Sequence, residues 1–226
     1  AANEWEHTSH EDDWTALTSG KLTDLEYTLT SGKYYLSGED MGSGPFLPLY
    51  EVITIPENAE VILCLHDVYC ASAVGAAIKV ETGGTLTICD CSPKGDEDLQ
   101  GYTNFFEEIE FPAIENHGTL NLASGNIGGV NLAVDNREGA TLNLGGSPNL
   151  LYIISAGTIS ATYGGKPYTG SYFNTEDGEV CIPLTIDYTG EPGYPVVENV
   201  TRENCNFFSD PVGNPFDYDP DSGTLT

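Results

Sequence analysis

Ala133-Val134-Asp135-Asn136-Arg137-Glu138-Gly139-Ala140-Thr141-Leu142-Asn143-Leu144 decides the fold, because the chain writes it three times. Ala113-Ile114-Glu115-Asn116-His117-Gly118-Thr119-Leu120-Asn121-Leu122 is a second copy, and Ala77-Ile78-Lys79-Val80-Glu81-Thr82-Gly83-Gly84-Thr85-Leu86-Thr87-Ile88 a third. Each reads as Ala-apolar, a polar turn, then Thr-Leu-polar-aliphatic. Pro56-Glu57-Asn58-Ala59-Glu60-Val61-Ile62-Leu63-Cys64-Leu65 is a weaker fourth. Val61, Leu86, Leu120 and Leu142 hold equivalent places, at intervals of 25, 34 and 22 residues.

Repeats at such intervals mark stacked architectures, in which no unit closes a core alone. Inside each copy the alternation Leu86/Ile88, Leu120/Leu122, Leu142/Leu144 has the period of a half-buried strand. Glycine and asparagine at the turns are expected to supply the positive φ of corners. Asn-Gly hairpin signals are absent and the copies run head to tail, which argues against an antiparallel sandwich. The fold class expected is all-β, a right-handed parallel β-helix with terminal caps and an extended or β C-terminal tail.

Working outward, residues 1–12 read as a polar leader. The β-helix is expected over 13–165, with an insertion at about 92–110 that explains the long interval, and residues 166–226 as a β appendage or tail. Trp14, Leu17, Leu22 and Leu25 are bulky enough to plug the first turn, with a short helical turn expected near Asp13 to Leu17.

The 226 residues carry 7 Lys+Arg against 35 Asp+Glu, a formal net charge of −28. Nucleic acid is excluded as a partner, since a polyanion is bound by clustered Lys/Arg. An anionic membrane surface is disfavoured for the same reason, and no apolar run is long enough to insert into a bilayer. Hydrophobic residues at 39% and aromatics at 10% suffice for a core. The acidity, the scarcity of Lys and the abundance of Gly, Thr and Asn fit an extracellular or cell-surface protein, expected to be monomeric.

His7-Thr8-Ser9-His10 with Trp14-Thr15-Ala16-Leu17, Gly32-Lys33-Tyr34-Tyr35-Leu36-Ser37, Ile53-Thr54-Ile55-Pro56, Ile78-Lys79-Val80 and Gly84-Thr85-Leu86-Thr87-Ile88-Cys89-Asp90-Cys91-Ser92 together look like one module. It resembles a β-helix module of large surface proteins from gut-dwelling Gram-positive bacteria, similar to pectate-lyase-like folds. The resemblance extends to residues 204–226. It implies a fold and a location, and it brings no catalytic residues.

Several side-chain sets could carry chemistry. A uronate lyase needs a cation beside the carboxylate and a base for the α proton, yet the only arginines are Arg137 and Arg202. A hydrolase needs paired carboxylates, and acids are too plentiful here for a pair to be informative. The chain is therefore expected to be a non-enzymatic structural or adhesin-like module, with a host or bacterial glycan or a surface protein as partner. The alternatives are a carbohydrate-binding module, using Tyr102, Phe105, Phe106 and Phe111 of the acidic, aromatic insertion, and a polysaccharide lyase or hydrolase. No cofactor is required. Calcium is the cation that Asp217, Asp219 and Asp221 would take, as hard oxygen donors at alternate positions; a solvated acidic end is the plainer reading.

His7, His10, Glu11, Asp12 and Asp13 could hold zinc or nickel, against the plainer reading of a flexible leader. His66 and His117 read as structural. The six cysteines form no Cys-x-x-Cys pair. Stacked strands about 4.8 Å apart would bring Cys64 and Cys89 within disulfide range, with Cys181–Cys205 a second candidate bond and unbonded stacked thiols the alternative.

Overall fold

A computed structural model describes residues 6–168 except 8, 11–12, 41, 43, 67, 92–97, 101–102, 105–108, 128–131 and 151, and short strands at 174–175, 180–181, 209–210, 214–215, 218–219 and 224–225. The protein is all-β and built mainly from parallel sheets. The first sheet stacks Trp14–Leu17, Gly32–Leu36, Glu60–Cys64, Thr85–Cys89, Thr119–Leu122, Thr141–Leu144 and Thr158–Ser160. The second stacks Pro45–Leu49, Tyr69–Ser72, Asp98–Gln100, Asn126–Ile127 and Asn149–Leu150, with Glu39–Asp40 antiparallel at its edge. The third stacks Ile53–Ile55, Ile78–Val80, Ile114–Asn116, Val134–Asn136, Tyr152–Ser155 and Asn174–Thr175. From Ile53 onward the chain visits the third, first and second sheets in turn, so each visit adds one tier.

The register follows the repeats residue for residue. Val61 pairs with Leu86, Leu86 with Leu120, and Leu120 with Leu142. Because alternate side chains of a strand face opposite ways, the aliphatic positions all point to one side. Leu86, Ile88, Leu120, Leu122, Leu142 and Leu144 are fully buried there, together with Ile78, Ile114 and Val134 of the third sheet. Ala77, Ala113 and Ala133, at equivalent places ahead of the third-sheet strands, are also buried, leaving room for nothing larger than a methyl at that corner.

The corner before each first-sheet strand shows which half of the turn expectation holds. Asn58, Gly83 and Gly139 occupy equivalent positions with φ of 63°, 81° and 80°. Asn116 and Asn136 do something else. They pair in register at the end of the third-sheet strands, fully buried, and form a side-chain ladder. Asn116 Nδ2 donates to Asn136 Oδ1 at 2.7 Å, and Asn136 Nδ2 to Ser155 Oγ at 3.0 Å. The same amides reach the Thr141 and Thr158 carbonyls, so the buried polar groups are satisfied.

Further features depart from the repeat or add to it. Trp14–Leu17 is a strand, and the helix follows it at Ser19–Asp24, where Thr18 Oγ1 accepts from Lys21 N at 3.2 Å and Leu22 is fully buried. A Thr at the N-cap position satisfies an otherwise orphaned amide, which is why the helix starts there. Within the stretch read as an insertion, Asp98–Gln100 is a strand of the second sheet, paired with Tyr69–Ala71, and Thr103–Asn104 pairs antiparallel with Ile109–Glu110. Thr162–Tyr163 and Lys166–Pro167 form a hairpin. In the tail, Val180–Cys181, Thr224–Leu225 and Tyr218–Asp219 pair antiparallel. Among the described residues no helix is long and apolar enough to cross a membrane.

Candidate metal centre

Alternation places Glu60, Ile62 and Cys64 on the face of the first sheet opposite Val61 and Leu63. Glu60 is exposed, yet Cys64 is fully buried. Something must cover the outer face at this end of the strand, and the leader does. His10 stacks on Tyr35, the register neighbour of Cys64, with ring centroids 4.0 Å apart and planes 9° from parallel. His7 packs against Trp14 at 4.3 Å and against His10 at 5.1 Å. Glu6 reaches Lys166 in the hairpin at 2.6 Å. The leader is thereby held across the tiers.

Beneath it the repeat builds a two-by-two grid. Cys64 pairs with Cys89, and the same 25-residue offset lays His66 beside Cys91. Leu65, between them, turns inward and is fully buried, and its amide donates to the Cys89 carbonyl at 2.9 Å, so the register continues past the strand. Cys64 Sγ donates to Cys91 Sγ at 3.3 Å. His66 Nδ1 lies 3.1 Å from Cys91 Sγ, and His10 Nε2 3.6 Å from it. One ligand atom from each of His7, His10, Cys64 and Cys91 lies within 4.8 Å of the other three.

Without an ion, His10 presents a lone pair while the two thiols keep their protons. Burial, then the neighbouring His66 and His7, hold His10 down to about 4, so its imidazole is neutral. The Cys89 sulfur, and then burial, push the Cys64 thiol far above the ordinary range; burial, then Cys64, does the same for Cys91. Desolvation disfavours each charged form. A cavity of about 230 Å³, lined by His7, Asp90, Ser124 and Tyr163 among others, opens beside the leader.

Protein-family models, curated proteins and solved structures yield no match to the chain. What the site can do is therefore read from its own atoms.

Of the residues singled out in the sequence, the structure gathers His7 and His10 with Cys64. Asp13 is drawn away to Lys33, at 2.7 Å, and Glu11 and Asp12 lie outside the described residues. His66, in a turn, is a neighbour of the cluster, whereas His117 bonds Glu115 at 2.6 Å. Cys64 and Cys89 are register partners, but the bond between them is not formed; both are thiols. Cys89 Sγ donates instead to the Leu63 carbonyl at 3.8 Å. Cys181 is described only as part of its strand, and Cys205 lies outside the described residues. Tyr102, Phe105, Phe106, Asp217 and Asp221 are also outside them, and Asp219 is placed by its strand alone. Phe111 is 37% exposed.

What sequence reasoning missed was the equivalence of His66 and Cys91. The signal was present: the offset that aligns Val61 with Leu86 aligns this pair too.

Proposed function

We propose that the chain is a right-handed parallel β-helix, a non-enzymatic structural or adhesin-like module of a secreted or cell-surface protein. A rigid support would present its loops to a surface protein. The observation that carries this reading is the register of the three sheets, in which each tier repeats the one below. Stacked tiers give stiffness, because every strand interior to a sheet is bonded on both sides. The likeness of residues 7–92 to surface modules of gut-dwelling Gram-positive bacteria supports the location. Against catalysis stands the fate of Arg137, the nearest thing to a lyase base, whose guanidinium is held by Asp135 at 2.7 Å.

A second reading, carbohydrate binding, is favoured by one feature of the second sheet. Phe46 and Tyr69 are register partners whose rings stack at 5.3 Å and 24°, and Tyr69 is 38% exposed. A tyrosine offers an apolar face and a polar hydroxyl, the pairing that suits an interface apolar on one side and wet on the other, as a sugar ring provides.

A glycan array probed with and without millimolar calcium separates the readings, alongside incubation with plant and mucin polysaccharides. A blank array and no new sugar ends are expected of the structural module. Binding that disappears in Tyr69→Ala would install the second reading, and release of reducing or unsaturated ends would overturn both.

A further inference from the structure

We infer that His7, His10, Cys64 and Cys91 form a binding site for a borderline-soft divalent cation of the zinc class, which fastens the leader to the outer face of the first sheet. This goes beyond the structural reading above and does not depend on it.

Geometry carries the inference. Zinc bonds of about 2.3 Å to sulfur and 2.0 Å to nitrogen put tetrahedral ligand atoms about 3.3–3.8 Å apart. Cys64 and Cys91 already stand 3.3 Å apart, and Cys91 and His10 3.6 Å. All four donors fall within 4.8 Å, so closure around an ion needs shifts of only about an ångström. The two sulfurs come from adjacent tiers, Cys64 at the end of its strand and Cys91 two residues beyond the end of its own. The two imidazoles sit three residues apart on one short segment and are clamped by Trp14 and Tyr35. His7 Nε2 is shut off from solvent.

Donor chemistry selects the ion. Two thiolates and two imidazoles are the set of structural zinc sites, and calcium or magnesium would reject it. Charge agrees as well. On binding, the Cys64 and Cys91 thiols lose their protons to solvent and each sulfur forms a bond to the ion. M²⁺ with two thiolates is neutral overall, which a half-buried site tolerates. A monovalent soft ion would leave the site at −1 in a chain already at −28. His66 is the positioning residue: its Nδ1 is 3.1 Å from Cys91 Sγ, where an N–H would hold the thiolate, as outer partners of metal ligands do.

Other groups of titratable side chains do not compete. Lys79–Glu81 and Asp135–Arg137 are ion pairs, and His117 is hydrogen-bonded to Glu115. The cluster is also where a sulfur pair, imidazoles and an adjoining cavity coincide.

The test is titration of the reduced full chain with Co²⁺ and Zn²⁺. One ion per chain is expected, displacing about two protons. The cobalt form should show thiolate-to-metal charge transfer and the intense visible bands of a tetrahedral site. Zn²⁺ should displace Co²⁺ and slow proteolysis of the leader. His7→Ala/His10→Ala removes two ligands from a surface segment, so the apo fold should survive. It should weaken binding by more than the roughly 10–100-fold expected for loss of an outer partner. Cys91→Ser should remove about half of the charge transfer, since Cys64 still supplies one thiolate, and His66→Ala should weaken binding while keeping the tetrahedral bands. His117→Ala, on another face, should change nothing. Binding without thiolate charge transfer, binding indifferent to the His7/His10 double change, or no binding at all would each overturn the site. Preference for Cu⁺ over Zn²⁺ under reducing conditions would overturn its assignment to the zinc class.

Discussion

Asn136 gives and takes at once: its amide donates to Ser155 Oγ and the Thr158 carbonyl, and its oxygen accepts from Asn116. Removing it orphans groups buried on both neighbouring tiers. An unpaired buried polar group costs about 1–3 kcal/mol, so Asn136→Ala should lower unfolding free energy by about 2–4 kcal/mol in urea melts. A loss under about 0.5 kcal/mol would mean water replaces the ladder. Asn136→Asp should be at least as damaging near neutral pH, because it substitutes a buried charge for a donor. The sequence made these asparagines visible as turn residues, and that reading was right for Asn58 alone. The ladder was not legible, since it depends on Asn116 and Asn136 facing inward in register, and a lone chain shows polarity without direction. Nearby, burial raises the Asp135 carboxyl, Arg137 opposes it, Glu115 adds to it and His117 opposes it. A raised folded pKa means the fold binds that proton better than the unfolded chain. Stability at this site is therefore gained as pH falls through the carboxylate range and lost as it rises. In Asp135→Asn the gain on acidification should shrink relative to wild type, as read from midpoint denaturant concentration against pH. An identical pH profile would remove Asp135 from the account.

At the level of the strand and its corner, two glycines separate backbone conformation from space. Gly139 sits at φ 80° with nothing near the position of an added Cβ, whereas the Cβ of an alanine at Gly118 would strike the Gly84 and Glu81 carbonyls of the tier beside it. Gly139→Ala should cost about 1 kcal/mol, the penalty of forcing a side chain into the left-handed region. Gly118→Ala should cost clearly more, because parallel tiers cannot separate locally without breaking their ladder bonds. Equal losses in thermal melts would show that the tiers yield. At this scale the sequence was most informative. The copies at 77–88, 113–122 and 133–144 predicted both strands and register, because each side chain repeats the burial of its equivalent. It was least informative where an element deviates from the repeat. Asp98–Gln100 joins the second sheet through pairing with Tyr69–Ala71, although its acidic flanks disguise it. The parts of the cluster fell between the two. The repeat aligned Cys64 with Cys89, read as a disulfide candidate, while the arrival of His7 and His10 beside Cys64 and Cys91 depends on how the leader folds back, which no periodicity encodes.

For the molecule as a whole, 35 acidic side chains face 7 basic ones. Lys33, Lys79, Arg137 and Lys166 are engaged in ion pairs, so the remaining acids repel one another with little local relief. Exposed pairs contribute about 0–1 kcal/mol each, and these four together cannot offset an excess of 28 charges once the chain is compact. Self-repulsion of this kind destabilises the folded state and is screened by salt. The Debye length falls from about 30 Å at 0.01 M to about 10 Å at 0.1 M, from spanning much of the protein to spanning two tiers. The melting temperature should therefore rise by several degrees between 0.01 and 0.3 M sodium chloride, at fixed pH and with divalent ions chelated so that no site is filled along the way. Sulfate would confound the result, because it strengthens apolar burial as well. Were the ion pairs dominant, added salt would lower the melting temperature instead. The same screening bears on the leader. Glu6–Lys166 is half-exposed and should loosen with salt, whereas the stacking of His10 on Tyr35 and of His7 on Trp14 should not. Limited proteolysis at both ionic strengths would then show a leader whose cleavage hardly changes while the body grows more stable. Faster cleavage at high salt would assign its attachment to the ion pair.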